Sequence, residues 1–261
     1  MWLGKEEIVD ANCKSVFWGV TVVLISASMA TAAEVKLISV GAVWGALDKI
    51  VADYSKTTGN KVNYTVGSPG VVSQKLAAGE VFDVVVVSAP AMDDYAKLGG
   101  LKPDTRVKAA RVGIGMAVGP QATPPDIATP AAFKAALLNA KSIAVGDPTI
   151  PNTSGVLVHA ILQNSGVMDD IKPKLQIVGL DPGQQQIAKG EIEIGLFNIS
   201  EVRPFVKYGG PVPEPLQRYT NYDVAITART TESNAASELL KMLTSTQEQA
   251  QWKSSGLEPV Q

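Results

Sequence analysis

The sequence predicts an α/β protein of two lobes, each a mainly parallel sheet flanked by helices, with a cleft between them. Short apolar runs alternate with helical patterns along the chain. The run DVVVVS at 83–88 is continuously apolar, which is typical of a parallel strand covered on both faces. The pattern changes near residue 111 and a strand returns near residue 222, as expected if the chain leaves one lobe, builds a second and comes back.

Three strand–helix units make up the first part of the chain. We predict strands at 35–40, 61–66 and 83–88, and helices at 44–58, 71–78 and 91–98. Gly59 and Asn60 end the first helix, and two glycines follow the third. Three such units in succession imply right-handed crossovers and a parallel sheet.

Further strands and helices follow, with a polar, proline-containing loop at 120–129 after the first of these strands. We predict strands at 112–118, 142–145, 175–178, 192–198 and 222–227, and helices at 130–141, 156–165, 184–189, 231–244 and 246–254. A loop at 211–215 precedes the last strand. The predicted division is lobe 1 at 33–111 plus 222–261, and lobe 2 at 112–221.

The first 32 residues are interpreted as a signal peptide. An uncharged stretch at 16–28 is shorter than the roughly 20 residues that span a bilayer. Ala30-Thr31-Ala32 fits the small-x-small rule for cleavage before Ala33. The mature protein would then be exported, free of the membrane and without cysteine, because Cys13 is the only one in the chain. A buried N-terminal helix is the alternative interpretation.

Composition excludes several kinds of function. The formal net charge is −2 and no basic run occurs, which argues against nucleic-acid binding. A chain with one histidine and one cysteine has little capacity for a zinc site or a Cys-His pair, so we expect no metal and no cofactor. The Gly-x-Ser-x-Gly pattern of serine hydrolases does not occur.

Three loops that lead into helices are the candidate binding residues. Because backbone N–H groups at a helix start have no partner within the helix, such loops can bind anions. An N-cap without any ligand is the alternative for each loop taken alone, but three loops facing one cleft predict an oxyanion or carboxylate site made of neutral donors. The residues are Gly41, Ala42 and Val43; Ser68, Pro69 and Gly70; and Asn152, Thr153 and Ser154.

For a few other residues we consider both a chemical role and a structural role. Arg111 and Arg203 can each clamp a carboxylate in bidentate fashion or lie solvated on the surface. Asp83 begins a strand, where we expect it to accept hydrogen bonds from backbone amides. His159 lies within a predicted helix, which favours a structural role, and Trp44 lies at the cleft edge or in the core.

Four segments resemble the periplasmic molybdate-binding family of ABC importers, a group of type II solute-binding proteins. They are KLISVGAVWGALDKIVADYSKTTGNKV, GSPGVVSQKLAAGEVFDVVVVSA, SIAVGDPTIPNTSGVL and EIEIGLFNISEV, of which the part around QKLAAGE and FDVVVVSA is the most specific. The resemblance implies a two-lobed type II periplasmic binding protein that closes on an anion by a hinge motion. It also implies a periplasmic monomer that delivers its ligand to an ABC permease.

Departures from the family pattern leave the identity of the ligand open. Ala42 stands where the family has a serine, and Asn198 and Ser200 lie where it has a Tyr-x-Thr-Asp pattern. Lost hydroxyl donors weaken the case for molybdate, so we expect a small oxyanion or a carboxylate. The chain also has some likeness to bacterial aconitate isomerase, an enzyme on the same scaffold. For that alternative the catalytic residues are unknown, and Glu201 and His159 are the candidates for the base.

Overall fold

The computed structural model describes residues 32–151 and 153–260, so the predicted signal peptide lies outside the described residues apart from Ala32. The described chain contains ten strands. They are β1 (Glu34–Val40), β2 (Lys61–Gly67), β3 (Val84–Ser88), β4 (Val107–Val118), β5 (Ile143–Val145), β6 (Leu175–Ile177), β7 (Ile194–Asn198), β8 (Lys207–Pro211), β9 (Tyr219–Ile226) and β10 (Glu258–Pro259).

Nine α-helices connect these strands within the same described ranges. They are α1 (Trp44–Thr58), α2 (Pro69–Ala77), α3 (Ala89–Lys97), α4 (Pro130–Asn139), α5 (Ser154–Ser165), α6 (Met168–Ile171), α7 (Leu180–Lys189), α8 (Ser233–Leu243) and α9 (Gln249–Ser254). The α/β class and most predicted elements are confirmed. The short elements α6, β8 and β10 were not predicted, because segments of two to five residues carry too little hydrophobic periodicity to be recognised.

Strands pair in the order β2-β1-β3-β9-β4-β7-β5-β6. β1, β2 and β3 are parallel to one another, and so are β5, β6 and β7. β4 and β9 run antiparallel to their neighbours and lie between the two parallel sets. This arrangement is the mixed α/β architecture predicted from the alternation of strands and helices.

The long strand β4 links the two sets. It pairs with β9 as far as Gly113, and with β7 from Ile114 onward. β4 begins at Val107, five residues before the predicted start, because Val107–Arg111 already pairs with β9. Separate hydrophobic clusters lie on either side of this change of partner, one around β1 and β3 and another around β5 and α5. The lobe bounds given above stay a prediction.

Local sequence explains the elements that surround the cleft. All five residues of β3 are buried, as expected for a strand with helices on both faces. α1 ends at Gly59, whose φ of +76° is a left-handed conformation that glycine adopts without strain. α2 begins with Ser68 as its N-cap and Pro69 as its first residue, both of which favour a helix start.

Candidate functional site

The main cleft lies where the parallel strands end. It has a volume of about 680 Å³, within the usual range for small-molecule sites. The last residue of β1, β2, β3, β6 and β7 lines it, and so do the two residues that follow β5. Ligands in open α/β sheets bind at the carboxyl ends of strands, because the following helices begin there.

Several helix starts contribute to the lining of this cleft. The N-cap residue of six helical segments lines it, four of them α-helices (α2, α3, α5 and α7) and two of them short 3₁₀ turns at 41–43 and 199–201. The first turn continues directly into α1. These N-cap residues are Val40, Ser68, Ser88, Thr153, Gly179 and Asn198.

The helix starts retain hydrogen-bonding capacity for a ligand. Among the described residues, the N-cap side chain makes no capping hydrogen bond at five of the six segments; at α2, Ser68 accepts a 3.4 Å hydrogen bond from Val71 N. Uncapped N–H groups and the helix dipoles place partial positive charge at the cleft, beside the side chains of Asp147, Asp181, Glu201 and Arg203. The site is therefore suited to an anion that accepts hydrogen bonds from neutral donors.

Most residues predicted to bind a ligand come together in this cleft. Gly41, Ala42, Ser68, Pro69, Thr153, Ser154 and Asn198 line it. Val43, Gly70 and Ser200 are not among the lining residues; Val43 is fully buried in the core, so only its backbone can face a ligand. Asn152 lies outside the described residues. Ligand binding by these residues stays a prediction.

Sequence reasoning missed several lining residues. Ser88 is the last residue of β3 and precedes a proline-containing helix start, which is the same signal that identified Ser68. Gly179, Leu180 and Asp181 were missed because α7 begins four residues before its predicted start, with Pro182 accommodated in its first turn. Tyr222 reaches the cleft from β9, and no local pattern indicates this.

The two arginines singled out from the sequence have different positions. Arg203 lines the cleft and forms a 3.0 Å ion pair with Asp181. Arg111 lies outside the lining, paired with Glu258 at 2.7 Å and stacked 4.0 Å above the Tyr219 ring. Arg111 is thus held by a carboxylate and an aromatic ring away from the cleft.

Of the two candidate bases, only Glu201 lines the main cleft. Burial raises the pKa of its carboxyl, opposed by a hydrogen bond from Asn198 and by the charge of Arg203. Asn198 Nδ2 donates to Glu201 Oε2 at 2.7 Å. His159 instead lines a separate cavity of about 520 Å³ with Asp169 and Lys172.

Asp83, expected to bind backbone amides, does so. Its buried carboxylate accepts hydrogen bonds from Lys36 N at 2.8 Å and Thr231 N at 2.9 Å, and also from Glu232 N and the Thr230 hydroxyl. Trp44 is 41% exposed and packs on Tyr64, with ring centroids 4.6 Å apart. Asp83 is therefore a structural residue that links β1 to the segment before α8.

Sequence comparison identifies the family. A profile of the bacterial extracellular solute-binding protein family matches residues 35–258. The chain belongs to the bacterial extracellular solute-binding protein family. An aconitate isomerase from Pseudomonas sp is 30% identical over 232 residues, which cover 86% of this chain and 87% of that protein.

Solved structures share the fold of this solute-binding protein. A substrate-binding domain from Clostridium difficile, assigned to a molybdenum ABC transporter, superposes with a TM-score of 0.74 at 19% identity, covering 88% of this chain and 100% of that one. The periplasmic molybdate-binding protein of Azotobacter vinelandii gives 0.70 at 18% identity, over 87% and 100% of the two chains. The two-lobed periplasmic binding protein fold is thereby confirmed. Within the described ranges, no helix has the length and apolar character that a membrane span requires.

Proposed function

We propose that this protein is a periplasmic solute-binding protein that captures a small organic carboxylate for an ABC importer. The observation that carries the proposal is the convergence of six N-cap residues on one cleft. Partial positive charge from the helix starts attracts a carboxylate in addition to the charge of Arg203, which lines the cleft paired with Asp181. Membership of the solute-binding family supports capture and delivery rather than turnover.

The walls of the cleft favour an organic anion over an inorganic one. Apolar side chains such as Val66, Ile150 and Ile177 line the cleft and are 41–62% exposed. A tetrahedral oxyanion requires donors on every side and gains nothing from apolar walls. A carbon skeleton can cover these side chains and remove their surface from water.

Binding of a defined panel of anions to the purified protein tests the proposal. Citrate, tricarballylate, malate, succinate and both aconitates form the organic set, with molybdate, tungstate and sulfate as the inorganic set. A carboxylate present at 100 times its Kd should stabilise the fold by about 2.7 kcal/mol, measured as a rise in Tm. Stabilisation by molybdate or sulfate alone contradicts the organic ligand, and no shift with any anion contradicts anion capture.

An isomerase is the second candidate, and Glu201 is the observation that favours it. Its carboxyl lies in the cleft with a raised pKa, which suits a general base, and the 30% identical relative is named an aconitate isomerase. The interconversion of cis- and trans-aconitate requires a base to remove an allylic proton. Ultraviolet assay of the wild type and of Glu201→Gln decides this: turnover lost in the variant with binding retained supports the enzyme, and no turnover in the wild type excludes it.

A further inference from the structure

Within the described ranges, one buried acceptor in the cleft has no hydrogen-bond partner. Asn198 ends β7, is only 4% exposed and lines the cleft. Its Oδ1 accepts no hydrogen bond from the described part of the chain. Buried side-chain acceptors are nearly always paired in folded proteins, so this one points to a donor that comes from elsewhere.

The orientation of the Asn198 amide is set by its neighbour. Nδ2 donates to Glu201 Oε2 at 2.7 Å, and in its ionised form this carboxyl can only accept. Turning the amide over would place Oδ1 against that carboxylate. The atom of the Asn198 amide without a partner in the described part of the chain is therefore the acceptor Oδ1. Helix starts that line the same cleft supply N–H donors.

The remaining polar groups around Asn198 and Glu201 leave this acceptor unmatched. Arg203 is paired with Asp181 at 3.0 Å, and in the described part of the chain neither its guanidinium nor the phenol of Tyr222 donates to Asn198 Oδ1. On the opposite side Gly41 has no side chain, and a Cβ built there would lie 4.0 Å from Glu201 Oε1. The space beside Glu201 is thus open toward the cleft between the first loop and the end of β7.

We propose that the ligand is a hydroxycarboxylate whose hydroxyl donates a hydrogen bond to Asn198 Oδ1. This inference rests on the proposed function, since the carboxylate is held by the helix starts and Asn198 recognises the hydroxyl attached to the same skeleton. A site built to bind a hydroxyl strongly rejects an analogue that lacks it, because its buried polar atom is then left unpaired. Asn198 is the residue by which the cleft distinguishes a hydroxy acid from the analogue that lacks the hydroxyl.

Matched pairs of acids test this inference by isothermal titration of the full protein. Citrate and tricarballylate differ only in one hydroxyl, as do malate and succinate. In the wild type we expect the hydroxy acid of at least one pair to bind about tenfold more tightly or better. In Asn198→Ala that ratio should fall to near one, while the affinity for the acid without a hydroxyl changes little.

Two further arms separate recognition from a general loss of structure. Asn164 is an exposed residue on α5. Asn164→Ala should keep the wild-type ratio of affinities for the hydroxy acid and its analogue, and it is the control for the effect of an Asn→Ala change outside the cleft. If Asn198→Ala does not fold, Asn198→Gln, which keeps both a donor for Glu201 and an acceptor, should still prefer the hydroxy acid. Aspartate, which replaces the hydroxyl of malate by an ammonium group, should bind more weakly than malate.

The outcomes distinguish this inference from the function on which it rests. Carboxylates that bind with no preference for a hydroxyl overturn the inference and leave anion capture intact. A preference for the hydroxy acid that persists in Asn198→Ala overturns the role of Asn198. Tighter binding of aspartate than of malate overturns the proposal that the donor on the ligand is a hydroxyl group. If no carboxylate binds at all, both proposals are wrong.

Discussion

The Asn198 amide donates a 2.7 Å hydrogen bond to Glu201 Oε2, and this pair lies in a cleft to whose lining several helix starts contribute. The bond favours the charged carboxylate, whereas burial favours the neutral acid, and burial is the larger effect. The pair therefore combines a carboxyl of raised pKa with an amide whose acceptor has no partner in the described part of the chain. Both properties bear on which anions the cleft accepts.

Glu201→Gln should stabilise the protein at neutral pH. The folded state binds the Glu201 proton more tightly than the unfolded chain does, so its stability falls as pH rises from the ordinary pKa of 4.5 through the raised one. Glutamine keeps the acceptor for Asn198 and has no charge to bury. We expect a gain of about 1 kcal/mol, or about 2–4 °C in Tm, at pH 8.

The same comparison at low pH provides the control. Below about pH 4 the carboxyl is protonated in both states, so the difference between wild type and Glu201→Gln should disappear. The exposed Glu191→Gln should change little at either pH. A Glu201→Gln variant that loses stability at pH 8 would show that the charged carboxylate stabilises the fold.

Gly155→Ala should disturb the start of α5. A Cβ on Gly155 would lie 2.5 Å from the carbonyl oxygen of Asp147, a backbone atom that cannot turn aside. We expect a loss of about 1–3 kcal/mol of stability and weaker ligand binding, since Thr153 and Ser154 move with the helix start. Denaturant unfolding and titration measure the two effects.

Gly45→Ala is the matched control for Gly155. Both glycines are the second residue of a helix, but a Cβ on Gly45 would meet only Ser255, at an ordinary 3.5 Å. Alanine there should raise stability by up to about 1 kcal/mol and leave binding unchanged. Equal behaviour of the two variants would argue against tight packing at the start of α5.

Ser154→Ala and Thr129→Ala should separate binding from stability. Ser154 lines the cleft, so its loss should weaken binding, and Ser68→Ala should do the same. Thr129 caps α4 by accepting a 3.1 Å hydrogen bond from Ala132 N, and it is not among the residues that line the cleft. Thr129→Ala should cost about 1 kcal/mol with no change in affinity, and unchanged affinity in both serine variants would contradict the site.

Asp83→Ala should be the most destabilising of these changes. It leaves the N–H groups of Lys36, Thr231 and Glu232, which are partly buried, without their acceptor. We expect a loss of about 3 kcal/mol or more, measured by denaturant unfolding. The exposed Asp94→Ala should cost no more than about 0.5 kcal/mol, and a similar value for Asp83 would mean that these amides find other partners.

Local sequence accounts for most of the fold and for part of the site. The bounds of α1, the start of α4 and the burial of β3 follow from caps, prolines and apolar runs that act within a few residues. The loops at Gly41, Ser68 and Ser154 were found by the same rules. Helix starts are local features, and strand order then brings them together at one edge.

The residues that escaped prediction depend on distant parts of the chain. Tyr222 reaches the cleft because β9 pairs with β3 and β4, which are more than a hundred residues away in sequence. Ion pairing with Glu258, near the end of the chain, holds Arg111 away from the cleft. Such contacts follow from topology and register rather than from any local pattern.

Titration of the purified protein with citrate, tricarballylate and the inorganic oxyanions tests the central claim most directly. The cleft of helix starts predicts saturable binding of a carboxylate at one site per chain, weakened by Gly155→Ala and not by Gly45→Ala. It also predicts that molybdate and sulfate bind less tightly than that carboxylate. Absence of heat and of any Tm shift with every carboxylate in the panel would contradict the claim.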